Sequence, residues 1–79
     1  MRHAVREWLS RSRVTDTPEG DLIADMRADK DIPRLFSNID EMRSYLLSKG
    51  AGHGALSAVP AVWRRYRSWL DRNPCKRTA

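Results

Sequence analysis

Three carboxylates, those of Asp21, Asp25 and Asp29, recur at every fourth residue, so on a helix they share one face, with Asp31 close behind. Such a row suits a hard divalent cation, which takes several oxygen ligands. The calcium-loop pattern fails, however: it needs ligands at alternate positions and glycine sixth, and the sixth residue counted from Asp29 is Arg34. The row is therefore expected to be a solvated acidic face or a docking surface for a basic partner, its first members favoured by a helix N-terminus. His3 and His53 lack a second ligand at zinc spacings, and no metal is expected. Cys75 is the single thiol and is read as an incidental tail residue, since a redox role needs a second cysteine or a setting that lowers its pKa. No nucleophile elbow and no paired carboxylates for acid-base work occur. The chain is expected not to be an enzyme, with no catalytic residues and no cofactor.

Two further constellations concern binding. Gly50-Ala51-Gly52-His53-Gly54 lies between two helical patterns, the arrangement by which helix-hairpin-helix modules offer backbone amides to a DNA phosphate. Lys49 adds a charge beside Gly50 and Gly52. Against that, Ala51 is small where a larger apolar residue is usual, and a positive-φ cap of the preceding helix explains Gly50 sufficiently. The second constellation is the last helical stretch, which carries Trp69 with Arg64, Arg65, Arg67 and Arg72. With Leu56, Val59, Trp63, Tyr66 and Leu70 turned to the core, Val62 and Trp69 are expected on one flank, edged by Arg65 and Arg72, with Arg64 and Arg67 on the other side. A partly exposed Trp69 beside those arginines would anchor a protein partner or stack on a base. The plain alternative packs Trp69 against the first helix near Trp8 and lets the arginines reach into water.

These residues must be carried by one domain. Seventy-nine residues hold a single core, and 41% hydrophobic and 32% charged residues suit a globular chain. A lone cysteine, no apolar leader after Met1 and no span-length apolar run lead to the expectation of a soluble, cytoplasmic protein with no membrane partner. The net charge is +5, unevenly spread. Residues 1–15 carry four arginines against one glutamate, residues 16–41 three basic against eight acidic side chains, and residues 42–79 eight basic against one aspartate. Basic ends around an acidic middle would form one positive face if the first and last helices lie together.

The punctuation is all helical. Arg2 to Ser12 places Val5, Trp8 and Leu9 on one side. Asp16-Thr17-Pro18-Glu19 starts a second helix, with Asp16 or Thr17 as cap and Pro18 at the first helical position. That helix buries Leu22, Ile23 and Met26, is slightly weakened by Gly20, and ends before Ile32-Pro33. Ser37-Asn38-Ile39-Asp40 opens a third, a variant capping box followed by Ile39, Met42, Tyr45 and Leu46 at helical spacing, and Gly50 closes it. The last series continues for four turns, and Pro60 interrupts it, either as a kink in one helix or, as is expected, as a break into two. No alternating β-branched run and no hairpin turn is present, so strands are not expected. The fold class is thus all-α, a compact bundle of four to five short helices over residues 1–72, with a flexible basic tail at 73–79.

Trp8-Leu9, Pro18, Gly20-Asp21-Leu22 with Ala24-Asp25, then Asp29, Pro33, Tyr45-Leu46, and finally Trp63 with Tyr66 occur in an order that resembles the YozE-type, sterile-alpha-motif-like bacterial domain family. The resemblance covers roughly residues 5 to 70. It implies a SAM-like bundle and no reaction, and it brings no cofactor or partner to transfer. The chain departs from the family pattern at Ile32, where phenylalanine is more usual before the proline, and at Val59, where an aromatic is typical.

Two functions are therefore expected, in order. The first is a non-catalytic adaptor that binds an unknown protein partner, through Trp69, Arg65 and Arg72 or through the acidic middle. The second is a nucleic-acid-binding accessory module using Lys49, Gly50, Gly52, Arg64, Arg65, Arg67 and Arg72 with Lys76 and Arg77. The chain is expected as a monomer or a weak homodimer.

Overall fold

Three of the four helices among the described residues begin where a side chain satisfies a free amide. His3 opens α1 (Ala4–Arg11), its Nδ1 accepting from the Arg6 amide at 3.1 Å. Thr17 opens α2 (Pro18–Ala28), its hydroxyl accepting from the Gly20 amide at 3.0 Å, with Pro18 at the first position. Asn38 opens α3 (Ile39–Ser48) and accepts from the Glu41 amide at 2.9 Å, while the Glu41 carboxylate takes the Ser37 amide at 2.8 Å. The capping box is thus one residue later than Ser37 and Asp40 would make it, because Glu41 is long enough to reach back and Asp40 is not. The last helix, α4 (His53–Arg72), starts from Gly52. The computed structural model describes residues 3–73, and among these there is no strand. Arg2 and the tail with Cys75, Lys76 and Arg77 lie outside the described residues, as does most of the segment read as a flexible tail.

Gly50 ends α3 with a φ of 81°. Its amide donates to the Leu47 carbonyl and the Ala51 amide to the Leu46 carbonyl, each at 3.0 Å, which is the Schellman pairing that satisfies a helix C-terminus. The α2 helix stops at Ala28, before Ile32-Pro33, and the connection that follows tucks Ile32 and Phe36 into the core. No helical repeat contains Phe36, which is why the periodicity did not single it out. The Val5 amide donates to the Arg34 carbonyl at 3.0 Å, fastening this connection to the start of α1.

The bundle is organised on α4, which packs against α2, α3 and α1, while α1 also meets α2. Its 20 residues make a rod of about 30 Å. Two expectations about α4 are corrected here. Pro60 does not break it: the helix is continuous, because Ala58 and Val59 before the proline and Val62 and Tyr66 after it are buried on the same side, and this packing outweighs one missing hydrogen bond. The buried seam is also rotated. Val62 and Trp69 are core residues, whereas Leu56, Trp63 and Leu70 are only partly buried. Both stripes have helical spacing, and the position of α1 and α2 selects between them.

Tyr66 sits at the centre, fully buried, with ring centroids at 5.2 Å from Trp8, 5.6 Å from Trp63 and 6.3 Å from Phe36, the last edge-on at 84°. Such aromatic pairs each add about 0.5–1.5 kcal/mol beyond the area they bury. Two side chains tie the helices from outside. Arg27 of α2 donates to the Leu9 carbonyl (Nε, 3.1 Å) and to the Ser12 carbonyl (2.6 Å), capping α1. Arg6 of α1 donates to the Asp29 carbonyl at 2.8 Å. Gly20 is the point of closest approach: a β-carbon there would lie 2.6 Å from the Thr15 amide nitrogen and 2.7 Å from its carbonyl carbon, so the α1–α2 connection can rest on α2 only over a glycine. No helix among the described residues is long and apolar enough to cross a membrane.

Candidate functional site

On α4, Ala61, Arg64, Arg65, Ser68, Trp69 and Arg72 follow the steps of three and four residues that form one helical stripe. This stripe faces the end of α1, from which Arg11 and Arg13 approach. Between them lies a cleft of about 540 Å³. Its floor is Trp8, Trp69 and Ala61, and the first turn of α2 contributes Glu19 at its side. The continuity of α4 through Pro60 and the contact of Gly20 with Thr15 hold these pieces in place, since Thr15 follows Arg13 by two residues and Glu19 precedes Gly20.

The electrostatics of the cleft are one-sided. Arg11, Arg13, Arg64, Arg65 and Arg72 are all exposed. Among the described residues only Arg65 of these five has an ion pair, with Glu19 at 3.6 Å. Of the two placements open to Trp69, the structure shows the packed one near Trp8 and not the partly exposed anchor. Trp69 is 8% exposed and Trp8 3%, so the indoles belong to the core, beneath the arginines. Arg65 and Arg72 do stand beside Trp69, as their spacing implied, but Arg64, expected on the other side with Arg67, lines the same cleft because the buried seam of α4 is rotated. Arg67 points elsewhere along the helix and pairs with Asp71 at 3.8 Å. The residues not singled out by sequence are Arg11, Arg13 and Glu19. Their only sequence signal is the basic first segment and the proline-marked start of α2.

Lys49, Gly50 and Gly52 are placed in a different part of the molecule. They line a second cavity, of about 380 Å³, together with Asp25 and Asp29 of α2. Lys49 pairs with Asp31 at 3.3 Å and Asp29 at 3.6 Å, and lies 5.9 Å from the centre of the Tyr45 ring. The amide of Gly50 is already engaged by Leu47. Around Asp29 the network is dense: the Tyr45 hydroxyl donates to its carboxylate, and so does the Asp31 amide at 2.9 Å. The Tyr45 hydrogen bond is the main cause holding the Asp29 carboxyl below its usual range, reinforced by the Asp31 amide and Lys49 and opposed by burial. Burial first, and then the hydrogen bond to Asp29, pushes the Tyr45 phenol well above its ordinary value. The hydrogen bond to Asp31 raises Lys49. Of the acidic row, Asp29 is thus a structural residue, while Asp21 and Asp25 are exposed. No group of three potential metal ligands converges among the described residues.

The molecule therefore has two poles, a basic cleft where α1 ends on α4 and an acidic cavity where α2 meets the α3–α4 turn. In architecture it is a small all-helical bundle domain. The chain belongs to the YozE SAM-like family: a family model described as YozE SAM-like fold matches residues 7–68. That span includes Arg11, Arg13, Glu19, Arg64 and Arg65 and ends just before Trp69 and Arg72. No curated protein and no solved structure matches the chain.

Proposed function

We propose that this chain is a non-catalytic protein-interaction module and that its docking surface is the arginine-rimmed cleft between the end of α1 and the second half of α4. The observation that carries the reading is the convergence of five exposed arginines, from α1, the connection after it and α4, on one cleft of about 540 Å³ over an apolar floor. Arginine is favoured at protein interfaces because its planar fork binds carboxylates in pairs and its weakly hydrated head is readily desolvated. The same convergence supports a second reading, an accessory nucleic-acid binder, in which Arg64, Arg65 and Arg72 contact phosphates. It has less support: Lys49, Gly50 and Gly52 lie with Asp25 and Asp29 in another cavity and do not extend the basic track.

A photo-crosslinking residue in place of Ser68, inside the cleft, tests the reading in cells that make the protein, with the same residue in place of Ser44 on α3 as control. A discrete protein adduct from position 68 alone, lost in the Arg64→Ala/Arg72→Ala variant, is the expected result. Adducts to nucleic acid from position 68 would transfer the assignment to the second reading. Identical adducts from both positions would remove the cleft as the docking surface.

A further inference from the structure

Resting on the protein-interaction reading, we propose that the occupant of the cleft is a short acidic peptide segment and that Glu19 stands where one of its carboxylates binds. The argument starts from what already sits there. Among the described residues the single carboxylate lining the cleft is Glu19, and it faces Arg65 at 3.6 Å. A charge-assisted hydrogen bond between such groups would be about 2.7–2.9 Å, so this is a charge contact that leaves the donors of the guanidinium fork open. Both partners keep contact with water, Arg65 at 46% and Glu19 at 30% side-chain exposure. An incoming carboxylate thus meets a pair it can exchange with.

Charge complementarity sets the chemistry of the rest. Arg11, Arg13, Arg64 and Arg72 have no ion pair among the described residues, so the cleft has four more cationic heads than its own acid can balance. Arg64 and Arg72 are eight residues apart on α4, which is a rise of about 12 Å. An extended peptide covers that length in about four residues. The fitting segment therefore carries carboxylates at both ends and an uncharged side chain between them, over Ala61, the part of the apolar floor that is not buried. The tail that follows Asn73 contains Lys76 and Arg77 and has no acidic residue, so its charge is wrong for this role.

The burial of the indoles separates this occupant from a nucleic acid strand. Base stacking needs an open aromatic face, and Trp8 and Trp69 are 3% and 8% exposed. The acidic cavity at the other end of α4, with Asp25 and Asp29, would repel a duplex extending along the helix.

The test uses calorimetric titration of the whole protein with three probes: the capped peptide Glu-Asp-Phe-Glu-Asp, its Gln and Asn counterpart, and a single-stranded oligothymidylate of equal charge. The acidic peptide binds and the amide peptide does not. Arg64→Ala/Arg72→Ala weakens binding by about tenfold or more, as expected for lost charge-assisted contacts. Glu19→Gln tightens it, by about threefold, since an exposed internal ion pair no longer competes. Arg67→Ala leaves it unchanged, and circular dichroism checks that every variant keeps its helices. Failure of the acidic peptide to bind, tighter binding of the oligothymidylate, or weaker binding by a folded Glu19→Gln would each overturn the proposal. If the peptide fails while the Ser68 crosslink still depends on Arg64 and Arg72, the acidic segment is wrong and the interaction module stands. If both fail, the module reading falls as well.

Discussion

In Gly20→Ala a single methyl is inserted between α2 and the connection that leads to it from α1. Its carbon would lie 2.6 Å from the Thr15 amide nitrogen and 2.7 Å from the Thr15 carbonyl carbon, both backbone atoms that cannot rotate away. Relief requires the connection to move, and overpacking of this kind costs about 1–3 kcal/mol. The displaced segment also carries the Thr17 cap, whose hydroxyl accepts from the Gly20 amide at 3.0 Å, and loss of such a cap costs about 1 kcal/mol. Alanine returns at most about 1 kcal/mol through its higher helix propensity, less in a first turn. The net expectation is destabilisation by about 1–3 kcal/mol, and at roughly 4–8 °C per kcal/mol for a domain of this size the melting temperature falls by at least several degrees. Thermal melting followed by far-ultraviolet circular dichroism reads this directly, with Gly54→Ala as the control. Gly54 lies in the first turn of α4 with nothing within 4 Å of the added carbon, so there alanine raises the melting temperature slightly. A Gly20→Ala protein that melts at or above the parent temperature would refute the close approach, and with it the placement of Arg13 and Glu19 at the cleft.

Two other perturbations probe the core and the acidic pole. Pro60→Ala restores an amide and removes a ring from the middle of a continuous α4, so stability to urea rises by about 1–3 kcal/mol; no gain would mean that the helix is interrupted there. Tyr45→Phe removes the leading hydrogen bond to Asp29 and lowers stability near neutral pH by about 1 kcal/mol, after discounting for partial solvent exposure. Because the folded Asp29 pKa lies below its unfolded value, this contribution is present above the ordinary carboxyl range and lost as the pH falls through the folded value. The gap between parent and variant therefore narrows in acid, and a gap constant with pH would show that Asp29 is not the group involved.

Much of the fold is legible locally. Thr17 and Pro18 mark the start of α2, Gly50 marks the end of α3, and the all-helical family assignment follows from the order of residues such as Trp8, Pro18, Tyr45 and Tyr66. The cleft is legible only in part. Arg64, Arg65, Arg72 and Trp69 stand together in the sequence and in space, but Arg11, Arg13 and Glu19 join them from other elements, and Lys49, Gly50 and Gly52 are carried away to the acidic cavity. A list of basic residues cannot separate these groups, because charge has no periodicity that reports on distant neighbours.

The start of α2 and the end of α3 were settled by the sequence alone, because a cap, a proline and a positive-φ glycine act within one turn of the chain. Tertiary structure decided which stripe of α4 is buried and whether Pro60 interrupts it. Leu56, Trp63 and Leu70 compete with Val62 and Trp69 for the same core, and a helix alone satisfies either choice. Only the packing of α1 and α2 on α4 breaks that tie, sinking Trp69 and leaving the arginines beside it to line the cleft.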